Sequence, residues 1–299
     1  MVNCIICLDK NPITADNPLT DEHIVPEFIG GTLTAKNVCK ICNSKFGHGF
    51  EGRLSNSFIF KISKQVYNIS GKSKKTTSAF SGLYDHPSLG KIRVNDDNRV
   101  ITLPSIDILE DDDGLDITLK IDKQDQHKAK SILAKKLQRV YAEKGKNYSD
   151  AQCSHAAGKI LENAEKETFV TQPTLSGSFT VNRKDTLLLH LKISYELLVY
   201  HFGHNYIYDS VASNISESLF EQELKQELSF NFIENKVLEH LLDKDNVWVV
   251  ISGNICNVMV FGFLSSLKFT ETNSSFNTEE IILYKFDVKT GLHSMQTLA

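Results

Sequence analysis

Apolar and polar positions change period along the chain. In SNSFIFKISKQV, Phe58, Ile59, Ile62 and Val66 recur at helical spacing, which predicts a helix with one packed face. Over residues 81–121 the pattern turns to β. KIRV and RVITL read as strands about the turn Asn95-Asp96-Asp97-Asn98, LDITLKI reads as a third strand, and the acidic EDDDG at 110–114 reads as a solvated loop. Helical spacing returns at 124–143, where Ile132, Leu133, Leu137, Val140 and Tyr141 form one stripe, and again at 149–163. GSFTV, 177–181, reads as a strand. The segment DTLLLHLKISYELLVYHF, 185–202, is apolar on most sides and predicts the central helix of a second domain, capped by Gly203. Helices near 209–226 and 230–242 should precede a closing hairpin and a last strand at 281–288.

One stretch approaches the length of a membrane span: residues 246–267 carry no charge over 22 positions. Ser252-Gly253-Asn254 interrupts it with turn residues, so it reads as a buried β-hairpin. The start, MVNCIICLDK, lacks a basic region followed by an apolar run and does not read as a signal peptide. The expectation is a cytoplasmic protein with no membrane partner.

At 299 residues the chain exceeds one typical domain, and a small module followed by a larger body is expected, with 1–70 and 71–299 as the division. GKSKKTTS at 71–78 reads as a basic linker. Hydrophobic residues make up 41% of the chain, enough for a substantial core. Charge is uneven: residues 1–75 hold ten Lys/Arg against six Asp/Glu, so the module is basic although the whole chain carries a net charge of -4. That asymmetry suits a polyanion partner for the module alone.

Four of the six cysteines form two CxxC pairs, Cys4 with Cys7 and Cys39 with Cys42. Each pair can bite one ion with two thiolates, and together they complete a closed tetrahedral zinc site of structural role. Coincidence or redox chemistry is the bland alternative. A small module gains from such a staple because its own core is small. Cys153 and Cys256 stand alone and read as ordinary core residues. His201-x2-His204 lacks a matching Cys or acidic ligand and reads as the polar end of the central helix.

Between the knuckles lies DEHIVPEFIGG, followed by Asn37 and then CKICN with Phe-Gly close behind. This combination resembles the HNH endonucleases, also called ββα-metal or His-Me finger nucleases, in the branch with a Cys4 zinc frame. The resemblance covers residues 4 to 54. It implies an α+β protein: a small ββα-metal head with a treble-clef-like zinc frame, followed by a larger mixed α+β domain. It also implies hydrolysis of DNA phosphodiester bonds. His23 matches the family's general base, and imidazole suits that task near neutral pH. Glu22 stands where the family usually has an Asp ligand of the catalytic metal. Asn37 matches the residue that fixes the histidine loop, and Asn43 matches the last motif position, which completes the metal site. Oxygen donors from Glu22 and Asn43 would prefer Mg2+ and tolerate Mn2+. Some relatives carry a further ligand at the position of Gly47, with His48 one step aside. Pro26 and Gly30-Gly31 are expected to shape the hairpin that presents His23.

Each of these residues has a plainer reading. His23 can be a hydrogen-bonded histidine under the knuckle, and Asn43 a helix cap. Lys40, Lys45 and Arg53 are candidate phosphate contacts, although any single one can equally be a solvated surface charge. The family association extends to bacterial and phage DNA processing and anti-phage defence, with a homodimer or a defence-system protein as possible partners beside DNA. Two competing functions stay open: a noncatalytic zinc module that binds DNA or protein, and a nuclease gated by ligand or partner sensing in residues 71–299.

Overall fold

The computed structural model describes residues 3–69, 78–111, 114–166 and 180–298. The chain is α+β, with a cysteine-bearing N-terminal segment and a larger β-rich remainder. Strands β1 (Leu19–His23) and β2 (Thr34–Cys39) form an antiparallel hairpin with a single 3-10 turn, Glu27–Ile29, in its loop. Helices α1 (Lys40–His48), α2 (Phe50–Asn56) and α3 (Phe58–Val66) follow. The apolar spacing in SNSFIFKISKQV thus marks α3 as expected. Helix α1 runs through Gly47, and the break falls at Gly49.

The middle of the chain contains β3 (Gly82–His86), β4 (Gly90–Val94) and β5 (Val100–Thr102) in one sheet, and β6 (Ser105–Asp111) with β7 (Gly114–Lys120) in a second. Helices α4 (Ala129–Glu143) and α5 (Asp150–Asn163) come next, and Ser149 opens α5 with a capping box to Gln152. Leu133, Leu137 and Ala157 bury between this helical pair.

The last part holds α6 (Arg183–Phe202), α7 (Ser210–Glu221), β8 (Phe230–Phe232), α8 (Lys236–Leu241), β9 (Asn246–Gly253), β10 (Ile255–Val260), β11 (Phe263–Lys268), β12 (Thr278–Asp287) and β13 (His293–Leu298). Six strands form an antiparallel sheet in the order β13-β12-β9-β10-β11-β8.

Three expectations need correction here. Residues 230–242 are not one helix: Phe230–Phe232 pair with β11, and the Asn235 side chain caps Val237 and Leu238, so helix starts only at 236. The uncharged stretch 246–267 makes three strands, because Phe261 and Gly262 take positive φ and supply a second turn. Among the described residues no helix is long and apolar enough to cross a membrane. Of GSFTV, residues 180–181 lie outside any strand, and 177–179 fall outside the described residues. The linker residues 71–77 and positions 112–113 of EDDDG also fall outside them.

Two compact units result. One is continuous, residues 80–178; the other joins residues 1–79 with 179–299. The segment expected as a head therefore shares a core with the C-terminal part. Helix α6 explains how. It is buried without a break from Asp185 to Val199, packing on α2 and α7 and on strands β10 and β11. A helix wrapped on all sides has no need of a polar face, which is why its sequence carries almost none.

Candidate functional site

The four knuckle sulfurs converge. Cys4, Cys7, Cys39 and Cys42 place their ligand atoms within 4.8 Å of one another, and all four are buried. Local turns put them there: Leu8 donates its amide to Cys4 (2.9 Å), Lys10 donates to Cys7 (2.9 Å), and the Cys39 amide donates to the Cys4 sulfur (3.3 Å). The Cys42 thiol pulls the Cys4 thiol down to about 5, while the same contact raises Cys42 and burial raises Cys7 to about 11, so the four sulfurs do not ionise together without a cation. A closed, buried, four-sulfur set fits a structural zinc ion and leaves no position open for catalysis.

The hairpin between the knuckles carries the predicted base. His23 is the last residue of β1, opposite Thr34, and is partly buried. Two glycines close the loop behind it. A Cβ at Gly31 would lie 1.7 Å from the Val25 carbonyl oxygen, and at Gly30, where φ is 93°, a Cβ would lie 2.5 Å from the Val288 carbonyl oxygen. The ladder is irregular between the pairs Thr20–Val38 and Glu22–Ala35, so Asp21 faces both Lys36 and Asn37. Asn37 thus sits in the bulge, and its main-chain carbonyl accepts from the Ile5 amide at 3.0 Å. Its side-chain oxygen is buried without a hydrogen-bond partner.

Successive strand residues face opposite ways, and here Asp21 is exposed while Glu22 is buried. Beneath Glu22 lies Lys192 of α6, whose side chain is 0% exposed. Its ammonium lies 2.8 Å from Glu22 Oε1, 3.3 Å from Glu196 Oε2 and 3.6 Å from Glu51 Oε1. It also donates to the main-chain carbonyl of His23 and, at 3.5 Å, to that of Ile24. Burial works against the charge on Lys192, but Glu196, Glu22 and Glu51 outweigh it and hold its pKa above the ordinary lysine value. Burial raises Glu51 and raises Glu196 well above the usual carboxylate range, despite the lysine. The cluster therefore keeps a charged lysine and favours protonated acid at Glu51 and Glu196.

This arrangement changes the reading of Glu22. The pair Glu22 and Asn43 does not fit an open site for a hard divalent cation here: the Glu22 carboxylate is buried against an ammonium, and the Asn43 amide donates to the Thr20 hydroxyl at 3.0 Å. Asn43 sits inside the first turns of α1 and does not cap it, since Cys39 holds that position. His48 is exposed and its Nδ1 lies 2.8 Å from the Ser44 carbonyl, one turn back on the same helix.

The candidate phosphate contacts divide. Lys40 is exposed at the start of α1. Lys45 bonds the Phe220 carbonyl and sits 4.5 Å over the Phe220 ring. Arg53 makes a bidentate pair with Asp185, both bonds 2.7 Å, which ties α2 to the start of α6. His201 bonds the Tyr284 hydroxyl at 2.8 Å, and Cys153 and Cys256 are buried. Sequence reasoning missed Glu51, Lys192 and Glu196. A signal existed: a Lys–Glu pair four residues apart inside an otherwise apolar helix must be buried, and buried charges need partners.

A zinc-type knuckle pair, a strand ending in His23 and a helix carrying Asn43 in its first turns lie in one segment, and the family comparison covers that same stretch. Residues 4–59 match the HNH endonuclease family. The HNH segment thus spans both knuckles, the hairpin, α1, α2 and the first residues of α3, and it includes Glu51 but not its partner Lys192. No curated protein and no solved structure matches the chain.

Proposed function

We propose that this protein is an HNH endonuclease or nickase that hydrolyses DNA phosphodiester bonds, with zinc as a structural ion in the Cys4, Cys7, Cys39 and Cys42 frame. The observation that carries the reading is the position of His23 at the end of β1, inside the matched segment and on the hairpin that runs between the two cysteine pairs. In the proposed reaction His23 takes a proton from water, the resulting hydroxide attacks phosphorus, and the bond from phosphorus to the leaving 3' oxygen breaks, that oxygen taking a proton from solvent. A neutral imidazole does this near physiological pH. Asn37, lodged in the bulge, restrains the hairpin, and Asn43 holds Thr20 on β1. Lys40 is the exposed cation best suited to a backbone phosphate, since Lys45 and Arg53 already hold internal partners. Anti-phage defence is part of the proposal on the family's association alone.

The burial of Glu22 against Lys192 favours one second reading, a noncatalytic zinc module that binds DNA or protein. The two separate in one assay. Supercoiled plasmid is incubated with wild type and His23→Ala, in Mg2+, in Mn2+ and in EDTA, with zinc content measured in both proteins. Nicked or linear product from wild type, lost in His23→Ala and in EDTA while zinc is retained, is the expected result. Binding without cleavage under every condition would move the assignment to the binding module.

A further inference from the structure

The HNH segment ends before α6, yet the most charged buried point beneath it comes from α6. We propose that Lys192 is a positioning residue of the nuclease site: its ammonium clamps the end of β1 from below and so fixes the direction in which His23 is presented. The inference rests on the nuclease reading above, and it makes α6 an integral part of the site.

Three observations carry it. First, the clamp grips the base residue itself. Lys192 donates to the His23 carbonyl and approaches that of Ile24 at 3.5 Å, so it touches the main chain on both sides of the peptide that follows the base. It also holds Glu22, the neighbour on the other side, at 2.8 Å. Two adjacent residues and the following turn are tied to one nitrogen. Second, Lys192 is 0% exposed at its side chain, so it cannot meet a substrate. Its effect must pass through the strand it holds. Third, ion clusters in a core are weak contributors to stability, and apolar residues of similar volume commonly do as well or better. Lys192 lies in a helix whose other buried positions are mostly apolar, at the turn that faces β1. A requirement for a donor at that point explains the lysine better than stability does.

The surroundings fit a clamp more than a ligand site. An ammonium has three N–H donors, and five oxygens surround this one: three carboxylate and two main-chain. Both Glu196 oxygens and Glu51 Oε1 lack a well-aligned hydrogen bond. They line the nitrogen with polar atoms while Glu22 and the β1 carbonyls hold it in place.

The test uses the full-length, zinc-loaded chain. Lys192→Met removes the donor but leaves buried carboxylates behind. Lys192→Met/Glu22→Gln removes the donor together with its closest charged partner and keeps the fold testable if the single variant is unstable. The readouts are the histidine ring signals in NMR, with His23 assigned from His23→Gln, and plasmid nicking resolved into kcat and KM. The expected result is a displaced His23 signal and a kcat about 10- to 100-fold lower, with KM within about twofold, as a misdirected base predicts. An unchanged His23 signal in the folded, zinc-bound double variant would overturn the proposal, and so would an unchanged kcat. If wild type does not nick DNA at all but the His23 signal still moves, the clamp stands and the nuclease reading fails.

Discussion

Removing the ammonium beneath β1 should be one of the most costly single changes in the protein. At 2.8 Å, and with an effective dielectric near 20, the Lys192–Glu22 attraction is about 6 kcal/mol. Most of that offsets the desolvation of the buried ions, so the measurable loss on breaking the cluster is about 3–5 kcal/mol. The assay is urea unfolding followed by tryptophan fluorescence. The chain has one tryptophan, Trp248, on β9, so the signal reports the unit built from residues 1–79 and 179–299. With an m-value near 3 kcal/mol/M, Lys192→Met should lower the midpoint by roughly 1–2 M. The double variant Lys192→Met/Glu22→Gln should recover much of this, because burial already favours protonation of Glu51 and Glu196. A coupling of about 2 kcal/mol between the two positions is expected from the cycle. Strict additivity, or a Lys192→Met midpoint equal to wild type, would refute the charge argument.

Glu196 gives a pH dependence of definite sign. Its folded pKa is raised well above 4.5 by burial, so the native state holds an extra proton and loses stability as pH rises above the unfolded value, by at most about 1.4 kcal/mol per pH unit. Glu196→Gln lacks that proton, so its midpoint should gain on wild type between pH 5 and 7; a constant difference would exclude the effect, with Lys192, Glu22 and Glu51 as the other groups in the cluster. Cys42→Ser should lower bound zinc from about one ion to near zero after dialysis, and unfold the segment around it, since structural zinc contributes its binding energy to folding. Residues 1–70 expressed alone should show no cleavage even where the full chain cuts, because they lack Lys192 and expose the surface that α6 covers; activity equal to that of the full chain would show that α6 is dispensable.

The parts of the fold that could be read from sequence are those fixed by local chemistry. Knuckle spacing announced the four-sulfur cluster, and helical period located α3, α4, α5 and α6 to within a few residues. Edge elements were harder. β13 has every side chain exposed, so no apolar alternation marks it, and β8 is three residues long inside a segment with helical spacing. The association of residues 1–79 with 179–299 was also hidden, because periodicity describes a face and not its partner. At the site, the motif identified His23, Asn37 and Asn43 as candidates, but it could not say which way Glu22 points. That depends on the bulge at Asp21 and on a lysine 170 residues away along the chain.

Two devices hold the two ends of the hairpin, and they solve the same problem differently. The end of β2 is tied by sulfur: Cys39 and Cys42 meet Cys4 and Cys7, and any bound ion would link four points of backbone at once. The end of β1 is tied by an ammonium, which reaches only what α6 can bring to it. The first device lies wholly within the HNH segment and is marked by its own spacing. The second lies half outside, so the segment alone contains carboxylates at Glu22 and Glu51 without the cation that neutralises them. Buried acids without that cation would seek solvent or protons, and the hairpin would lose the restraint on His23. Residues 179–299 therefore reach the end of β1 through Lys192, a link that the spacing of the matched segment does not show.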